Sequence, residues 1–314
     1  MTEILPATDA AIRRAAAILR AGGLVAFPTE TVYGLGADAC APRAVAGIYA
    51  AKGRPSFNPL IAHVADVAAA RREALLPAAA LRLAEAFWPG PLTLVAPAAP
   101  ESGVCDLARA GLASLALRIP AHPAARDLIA AFGGPIVAPS ANRSGHVSPV
   151  TAAHVAQDLA GRVDLILDGG RASAGIESTI VSFLGPRPAL LRPGALTREA
   201  IEAMLGEKLA APSDAVVAPG MTAAHYAPNA RLRLDALRLE SGEAGVDFCG
   251  ALARAGATVA FDLSPSGDLH EAAANLFSVL RELDARGIAR AAVAPIPAHG
   301  LGEAIRDRLR RAAR

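Results

Sequence analysis

Two short polar loops bracket one helix between residues 27 and 58, and no other stretch constrains the chain as much. The first loop reads Phe27-Pro28-Thr29-Glu30-Thr31-Val32-Tyr33-Gly34-Leu35-Gly36, and the second Lys52-Gly53-Arg54-Pro55-Ser56-Phe57-Asn58-Pro59. An apolar run at 24–27 enters the first and another at 60–64 leaves the second, so both loops fall at strand ends, where α/β folds bind ligands. The second loop sets two cations one residue apart on a backbone stiffened by Pro55 and Pro59. A guanidinium fork beside a point-charge ammonium suits an anionic ligand such as a phosphate. The alternative is two merely solvated cations; their place between two strands, among proline and glycine, favours the ligand.

The rest of the chain is punctuated in the same way. Helices are expected at 8–21, capped by Thr8 or Asp9 and closed by Gly22-Gly23, and at 42–51 with Pro42 in the first turn. Further helices are expected at 75–87, entered or interrupted at Pro77, and at 123–132, 151–159 and 197–205. Expected strands lie at 24–27, 60–64, 92–95, 114–118, 135–138, 165–167, 177–183 and 189–192, while 97–111 reads as a loop. Several strands follow one another without a helix, so the sheet should be mixed and strongly twisted rather than parallel throughout.

A chain of 314 residues exceeds most single cores, which favours two domains. The first is expected at 1–206. Residues 207–230 read as a linker rich in alanine, proline and small polar residues, but Met221, His225 and Tyr226 are unusual in a bare spacer. The linker therefore either folds back over a site as a lid or is ordered and inert. Residues 231–314 alternate strand and helix as a small Rossmann-like α/β domain, with strands at 231–234, 246–248, 258–263 and 291–294 and helices near Ala251, at 269–286 and from 301 onward. The first of these strands is followed by no Gly-x-Gly-x-x-Gly, so alternation alone does not argue for a dinucleotide.

Bulk properties exclude several classes. Hydrophobic residues make up 53% of the chain, yet no apolar run reaches the roughly 20 residues that span a bilayer. The first residues lack the basic start and apolar stretch of a signal peptide, so the cytoplasm is the expected compartment. Cys40, Cys105 and Cys249 are too few and too scattered for a disulfide framework or a zinc site. The net charge of +2 allows only a local nucleic-acid surface. Arg306, Arg308, Arg310, Arg311 and Arg314 form the densest basic run, and helical spacing around Leu301, Ile305 and Leu309 makes them a solvated helix face.

A second cluster of hydroxyls, amide and cation, Pro139-Ser140-Ala141-Asn142-Arg143-Ser144-Gly145, follows the 135–138 strand. With Thr29, Thr31, Ser114, Ser148, Ser178, Thr179, Arg118, Arg192 and Asn58 it gives many donors and few acids. No Gly-x-Ser-x-Gly elbow and no His-Glu-x-x-His pair occurs, which argues against acyl-enzyme chemistry and against a protein-held transition metal. Mg²⁺ carried on substrate phosphates needs few protein ligands. The set suits nucleotide handling by positioning and charge stabilisation. His63, among apolar neighbours, reads by default as a core histidine, and Trp88 and Tyr33 as packing residues. Glu30 and Glu177 either cap turns or orient neighbouring donors.

These motifs together, with Trp88-Pro89-Gly90-Pro91-Leu92-Thr93, Arg118-Ile119-Pro120, Pro139-Ser140-Ala141-Asn142 and Arg192-Pro193-Gly194, resemble the threonylcarbamoyl-AMP synthase family with its YrdC-like fold. The likeness covers about residues 8–206, and the linker and last domain are similar to the long, two-domain form. The resemblance implies a nucleotidyltransferase that makes L-threonylcarbamoyl-adenylate and pyrophosphate from ATP, L-threonine and bicarbonate with Mg²⁺, for modification of the adenosine beside the tRNA anticodon. It implies a product handed to a tRNA-modifying transferase complex, and it leaves weak direct tRNA binding open. By the same resemblance, Thr31, His63, Arg118, Ala138 and Ser178 hold threonine. Arg54, Asn58, Ser114, Ser140, Ser148, Arg192 and Tyr226 hold ATP, while Lys52 faces the phosphates and acts with Arg54 in catalysis. The linker departs from the family's pattern in carrying Thr222-Ala223-Ala224 where basic residues are common. Two other readings remain: another carbamoyl-transfer enzyme of the same fold, and an RNA-binding module.

Overall fold

The computed structural model describes residues 2–211, 226–256 and 259–313. The expected lid positions Met221 to His225 lie outside them. The strands of the larger unit are β1 (Glu3–Pro6), β2 (Val25–Phe27), β3 (Gly34–Asp38), β4 (Ile61–His63), β5 (Leu92–Pro97), β6 (Ser114–Arg118), β7 (Ile136–Val137), β8 (Leu165–Asp168), β9 (Thr179–Ser182) and β10 (Ala189–Arg192). They form one sheet in the order β1-β8-β2-β3-β7-β4-β6-β5-β9-β10. The pairs β1·β8, β2·β8, β4·β6 and β5·β9 are parallel, and β2·β3, β3·β7, β4·β7, β5·β6 and β9·β10 antiparallel. The sheet is thus mixed, as the strand-to-strand connections imply.

Alternation along the strands divides the core between two faces. Ala26 and Ile166 belong to one large cluster, with residues of helices Pro42–Lys52, Ala78–Phe87 and Ala152–Leu159. Val25, Phe27, Leu165 and Leu167 belong to the opposite one, with helices Asp9–Arg20 and Pro123–Phe132. Helix starts follow local chemistry. Thr8, Thr151 and Thr197 each accept a backbone N–H at the first turn, and Pro42 and Pro123 occupy first-turn positions where a missing N–H costs nothing.

The structure corrects the sequence reading in several places. Residues 34–38, expected as part of a loop, are strand β3. Its glycines are there for close packing: a Cβ on Gly36 would lie 2.8 Å from the Phe27 ring and 3.1 Å from Ile136 Cγ2. Strand β1 was not expected; it is a short edge strand whose side chains alternate between intermediate and exposed. A helix at Val67–Glu73, capped by Asp66, is an addition to the expected set, and Ala78–Phe87 is entered at Pro77, one of the two ways in which 75–87 reads. The expected 97–111 loop contains a single helical turn, Asp106–Arg109.

The second unit holds a parallel sheet of β11 (Arg231–Arg233), β12 (Ala244–Asp247), β13 (Val259–Asp262) and β14 (Arg290–Val293), in the order β11-β14-β12-β13. Its helices Leu269–Ala285 and Leu301–Ala312 supply the apolar stripes. Those stripes share one cluster with Val32, Val147, Val150, Ala172 and Ile176 of the larger unit. At the junction Gly175, with φ of 64°, lies so close to helix Leu269–Ala285 that a Cβ would stand 2.4 Å from Ala274 Cα. Arg281 pairs with Asp158 at 2.8 Å and Arg198 with Glu303 at 2.6 Å.

Arg308 overturns the reading of the basic C-terminal run as a solvated face. It is fully buried. Its number places it seven after Leu301 and three after Ile305, on the apolar stripe itself.

Candidate functional site

The two polar loops of the opening stretch meet the 139–148 and 177–178 segments at the ends of β2, β4, β7 and β9. They enclose a cleft of about 480 Å³, its mouth included, lined by Thr31, Val32, Arg54, Ile61, His63, Arg118, Ala138, Pro139, Ser140, Glu177, Ser178, Arg192 and Tyr226. All five residues expected to hold threonine lie on this wall. Of those expected to hold ATP, Arg54, Ser140, Arg192 and Tyr226 do. Lys52, Asn58, Ser114 and Ser148 stand outside it.

The groups expected to hold threonine are fixed by hydrogen bonds within the protein. Thr29 Oγ1 donates to the Val32 carbonyl at 2.6 Å, so its 2.8 Å contact with Thr31 Oγ1 takes the Thr31 hydroxyl proton. Thr31 keeps oxygen lone pairs as acceptors. His63 Nδ1 donates to the Ile61 carbonyl at 3.2 Å. Burial, reinforced by the Arg118 charge, lowers its pKa to about 3. The ring is therefore neutral at ordinary pH, with Nε2 as its acceptor. Arg118 Nη2 donates to Glu30 Oε1 at 2.7 Å and its Nε to the Gly90 carbonyl at 3.3 Å, while Glu30 Oε2 takes the Ala121 N–H at 3.0 Å. Burial opposes ionisation of Glu30, but the Arg118 charge and these hydrogen bonds hold its pKa below the usual value. Glu30 thus orients a donor, one of the two roles left open.

The other side of the cleft gathers positive charge. Arg54 and Arg192 line it, which with Arg118 makes three guanidinium groups in the cleft against the single carboxylate of Glu177 among the described lining residues. Arg54 donates to the carbonyls of Asn58 and Pro59, and Arg192 to the Ser178 carbonyl and hydroxyl. Burial pushes the pKa of Arg54 down to about 10 and that of Arg192 down as well. Buried cations of this kind are stabilised by an incoming anion.

Gly53 separates Lys52 from Arg54. It caps the preceding helix in the left-handed region at φ 60°, so the two cations leave the backbone in different directions. Lys52, expected to face the phosphates, does not line the cleft. Its ammonium lies beneath the 140–142 loop, donating to the carbonyls of Ser140 and Asn142 at 2.5 Å each and to Asn142 Oδ1 at 3.4 Å. Ser140 Oγ in turn donates to Asn142 Oδ1 at 2.6 Å. Ser148 Oγ donates to Glu177 Oε1 at 2.6 Å, so Ser148 stands one residue behind the wall. Asn58 Oδ1 is buried and has no hydrogen-bond partner among the described residues.

One wall residue and one group behind it escape the sequence reading. Glu177 was left as either cap or orienter, yet it is a buried member of the wall. Arg308 was assigned to solvent, yet its Nε donates to Glu177 Oε2 at 2.8 Å and its Nη2 to the Pro193 carbonyl at 3.0 Å. The helical phase of position 308 was the signal available. Tyr33 and Trp88 are buried packing residues as expected, each with its polar atom satisfied: Tyr33 donates to Gly170 and Trp88 to Leu92.

A twisted mixed sheet whose strand ends hold a neutral imidazole, an oriented guanidinium and a cluster of buried cations defines a two-substrate pocket, for an amino acid beside a polyanion. The sequence profile described as "Telomere recombination" matches residues 17–194, and that described as "Threonylcarbamoyl-AMP synthase, C-terminal domain" matches residues 196–314. The chain is 42% identical to threonylcarbamoyl-AMP synthase of Bacillus subtilis, with 100% of this chain and 96% of that protein covered. It is also 42% identical to the synthase of Pyrococcus abyssi, over 96% of this chain and 93% of that one. The solved structure of P. abyssi Sua5 complexed with L-threonine superposes with a TM-score of 0.89 at 37% identity, covering 100% of this chain and 97% of that one. The chain belongs to the threonylcarbamoyl-AMP synthase family, in its two-domain form.

Proposed function

We propose that this chain condenses ATP, L-threonine and bicarbonate into L-threonylcarbamoyl-adenylate with release of pyrophosphate. The observation that carries the reading is the single cleft that joins Thr31, His63, Arg118, Ala138 and Ser178 to Arg54, Ser140, Arg192 and Tyr226. The threonine carboxylate matches Arg118, whose plane Glu30 fixes for a charge-assisted contact. A neutral His63 offers Nε2 as acceptor for the amino or hydroxyl group. The free amine bonds the bicarbonate carbon, and the hydroxyl leaves that carbon as water with a proton given up by the nitrogen, which yields the carbamate.

The product's mixed anhydride requires a carbamate oxygen to bond the α-phosphorus as the bond to pyrophosphate breaks. No side chain is needed as nucleophile. Placing both substrates in one cleft and neutralising charge with Arg54 and Arg192 accounts for the acceleration. Mg²⁺ enters as the counterion of ATP. Among the described residues no group of three or more His, Cys, Asp and Glu is arranged to hold a metal, and Glu30 and Glu177 are committed to Arg118 and Arg308.

Because the mixed anhydride hydrolyses in water, it must be consumed promptly. A transferase complex acting on the adenosine beside the tRNA anticodon is the consumer that this product implies, and the shared need for ATP and tRNA implies the cytoplasm. No described helix is long and apolar enough to cross a membrane. The test is pyrophosphate release from ATP and bicarbonate with each amino acid in turn. Release that requires threonine supports the reading, and release indifferent to the amino acid overturns it. Salt-sensitive tRNA binding without threonine-dependent release would point instead to an RNA-binding module.

A further inference from the structure

Arg308 of the second unit touches two residues of the cleft wall, Glu177 and Tyr226. Arg308 projects from helix Leu301–Ala312 and is 0% exposed. It ion-pairs with Glu177 Oε2 at 2.8 Å and donates to the Pro193 carbonyl at 3.0 Å. Its guanidinium carbon stands 5.2 Å from the centre of the Tyr226 ring, which stacks on Phe277 of helix Leu269–Ala285 at 5.5 Å. Glu177 and Tyr226 both line the cleft. The other Glu177 oxygen takes the Ser148 hydroxyl. One buried cation from the second unit thus contacts a wall carboxylate and a wall aromatic, and Glu177 extends the chain of contacts to Ser148.

We propose that Arg308 is a positioning residue for the nucleotide half of the cleft, through which docking of the second unit is transmitted to substrate binding. Glu177 and Tyr226 lie within electrostatic reach of Arg192, a residue expected to hold ATP, and Ser148 joins them through Glu177. Removing Arg308 leaves the Glu177 carboxylate buried without its partner. A buried charge that loses its partner is strongly destabilised, and it turns toward whatever positive charge remains. Here that charge belongs to the cleft wall, and an unneutralised carboxylate beside a triphosphate repels it. Tyr226, held at φ 67°, loses the cation against its ring.

The inference rests on the synthase reading, and the wild-type enzyme is the control that separates the two. Absence of threonine-dependent pyrophosphate release in the wild type would sink the function, not the role of Arg308. With the wild type active, Arg308→Met is assayed for pyrophosphate release against ATP and against threonine. The expected result is an ATP KM raised by about tenfold or more, while the threonine KM moves by less than about threefold. The double variant Glu177→Gln/Arg308→Met removes both charges of the pair. It should recover at least about threefold of the lost ATP affinity, since the repelling carboxylate is gone.

A purely structural role predicts otherwise. A lowered melting temperature with both KM values unchanged overturns the proposal, as do equal losses for both substrates or no recovery in the double variant. Should Arg308→Met fail to fold, Arg308→Lys keeps the charge but not the fork. It is expected to raise the ATP KM by an intermediate factor of about three, and an ATP KM within about twofold of wild type overturns the proposal.

Discussion

Lys52 and Asn142, far apart in sequence, are joined by the 2.5 Å hydrogen bond from the Lys52 ammonium to the Asn142 carbonyl. With the Ser140 carbonyl and Asn142 Oδ1 it completes three acceptors for three N–H groups. Replacement by methionine keeps the length and strands the buried Asn142 carbonyl, whereas the Ser140 carbonyl keeps the Asn142 N–H at 3.0 Å. Lys52→Met is therefore expected to lower stability in urea by about 1–3 kcal/mol, the cost of one unsatisfied buried carbonyl, and to speed amide exchange across residues 140–146. Unchanged stability with abolished turnover would return Lys52 to the phosphates.

Arg118 is held in plane by Glu30 at 2.7 Å and by the Gly90 carbonyl. A lysine keeps the charge but cannot present a fork to a carboxylate. Titration calorimetry with L-threonine should show Arg118→Lys binding about 10–100-fold more weakly. Full threonine affinity in this variant would move the carboxylate elsewhere in the cleft.

His63 couples the site to acid stability. Burial lowers its folded pKa to about 3, whereas the unfolded chain binds a proton near 6.5. A histidine depressed on folding gives stability that is present above about 6.5 and lost as pH falls toward 3, because the unfolded state gains the proton first. Between pH 7 and pH 5 this single group removes about 2 kcal/mol. Urea denaturation at the two pH values should show a smaller difference for His63→Gln; an equal difference would mean that the imidazole is protonated in the fold.

Gly36 and Gly53 test two separate reasons for glycine. At Gly36 a Cβ would strike the Phe27 ring at 2.8 Å, whereas at Gly53 there is open space but φ is 60°. Gly53→Ala should cost about 1 kcal/mol from backbone strain alone. Gly36→Ala should cost more, about 1–3 kcal/mol, because the core of β2 and β7 must shift. Thermal melts that reverse this order would contradict the packing account of β3.

Much of this architecture was legible because it rests on local chemistry. The threonine caps, the prolines at helix starts and the period-two apolar runs located helices Pro123–Phe132 and Ala152–Leu159 and strands β6 and β10 within a residue or two. The loop motifs brought Thr31, Arg54, His63, Arg118, Ser140, Ser178 and Arg192 to one wall. What stayed hidden depends on partners distant in sequence. Gly34 and Gly36 carry turn chemistry and yet form a strand, because their neighbours across the sheet leave no room for a side chain. Lys52 and Arg54 look equivalent until the left-handed turn at Gly53 parts them. Arg308 looks like one member of a basic run until its helical phase sets it among leucines.

The cluster that unites Val32, Val147, Val150, Ala172 and Ile176 with Leu276, Phe277 and Ile305 makes the two units thermodynamically inseparable. Val32 adjoins Thr31 on the cleft wall, so one wall of the pocket rests on the same apolar cluster as the helices of the second unit. Heating should then melt the chain in a single cooperative step, with the ability to hold substrate vanishing in that same transition rather than ahead of it.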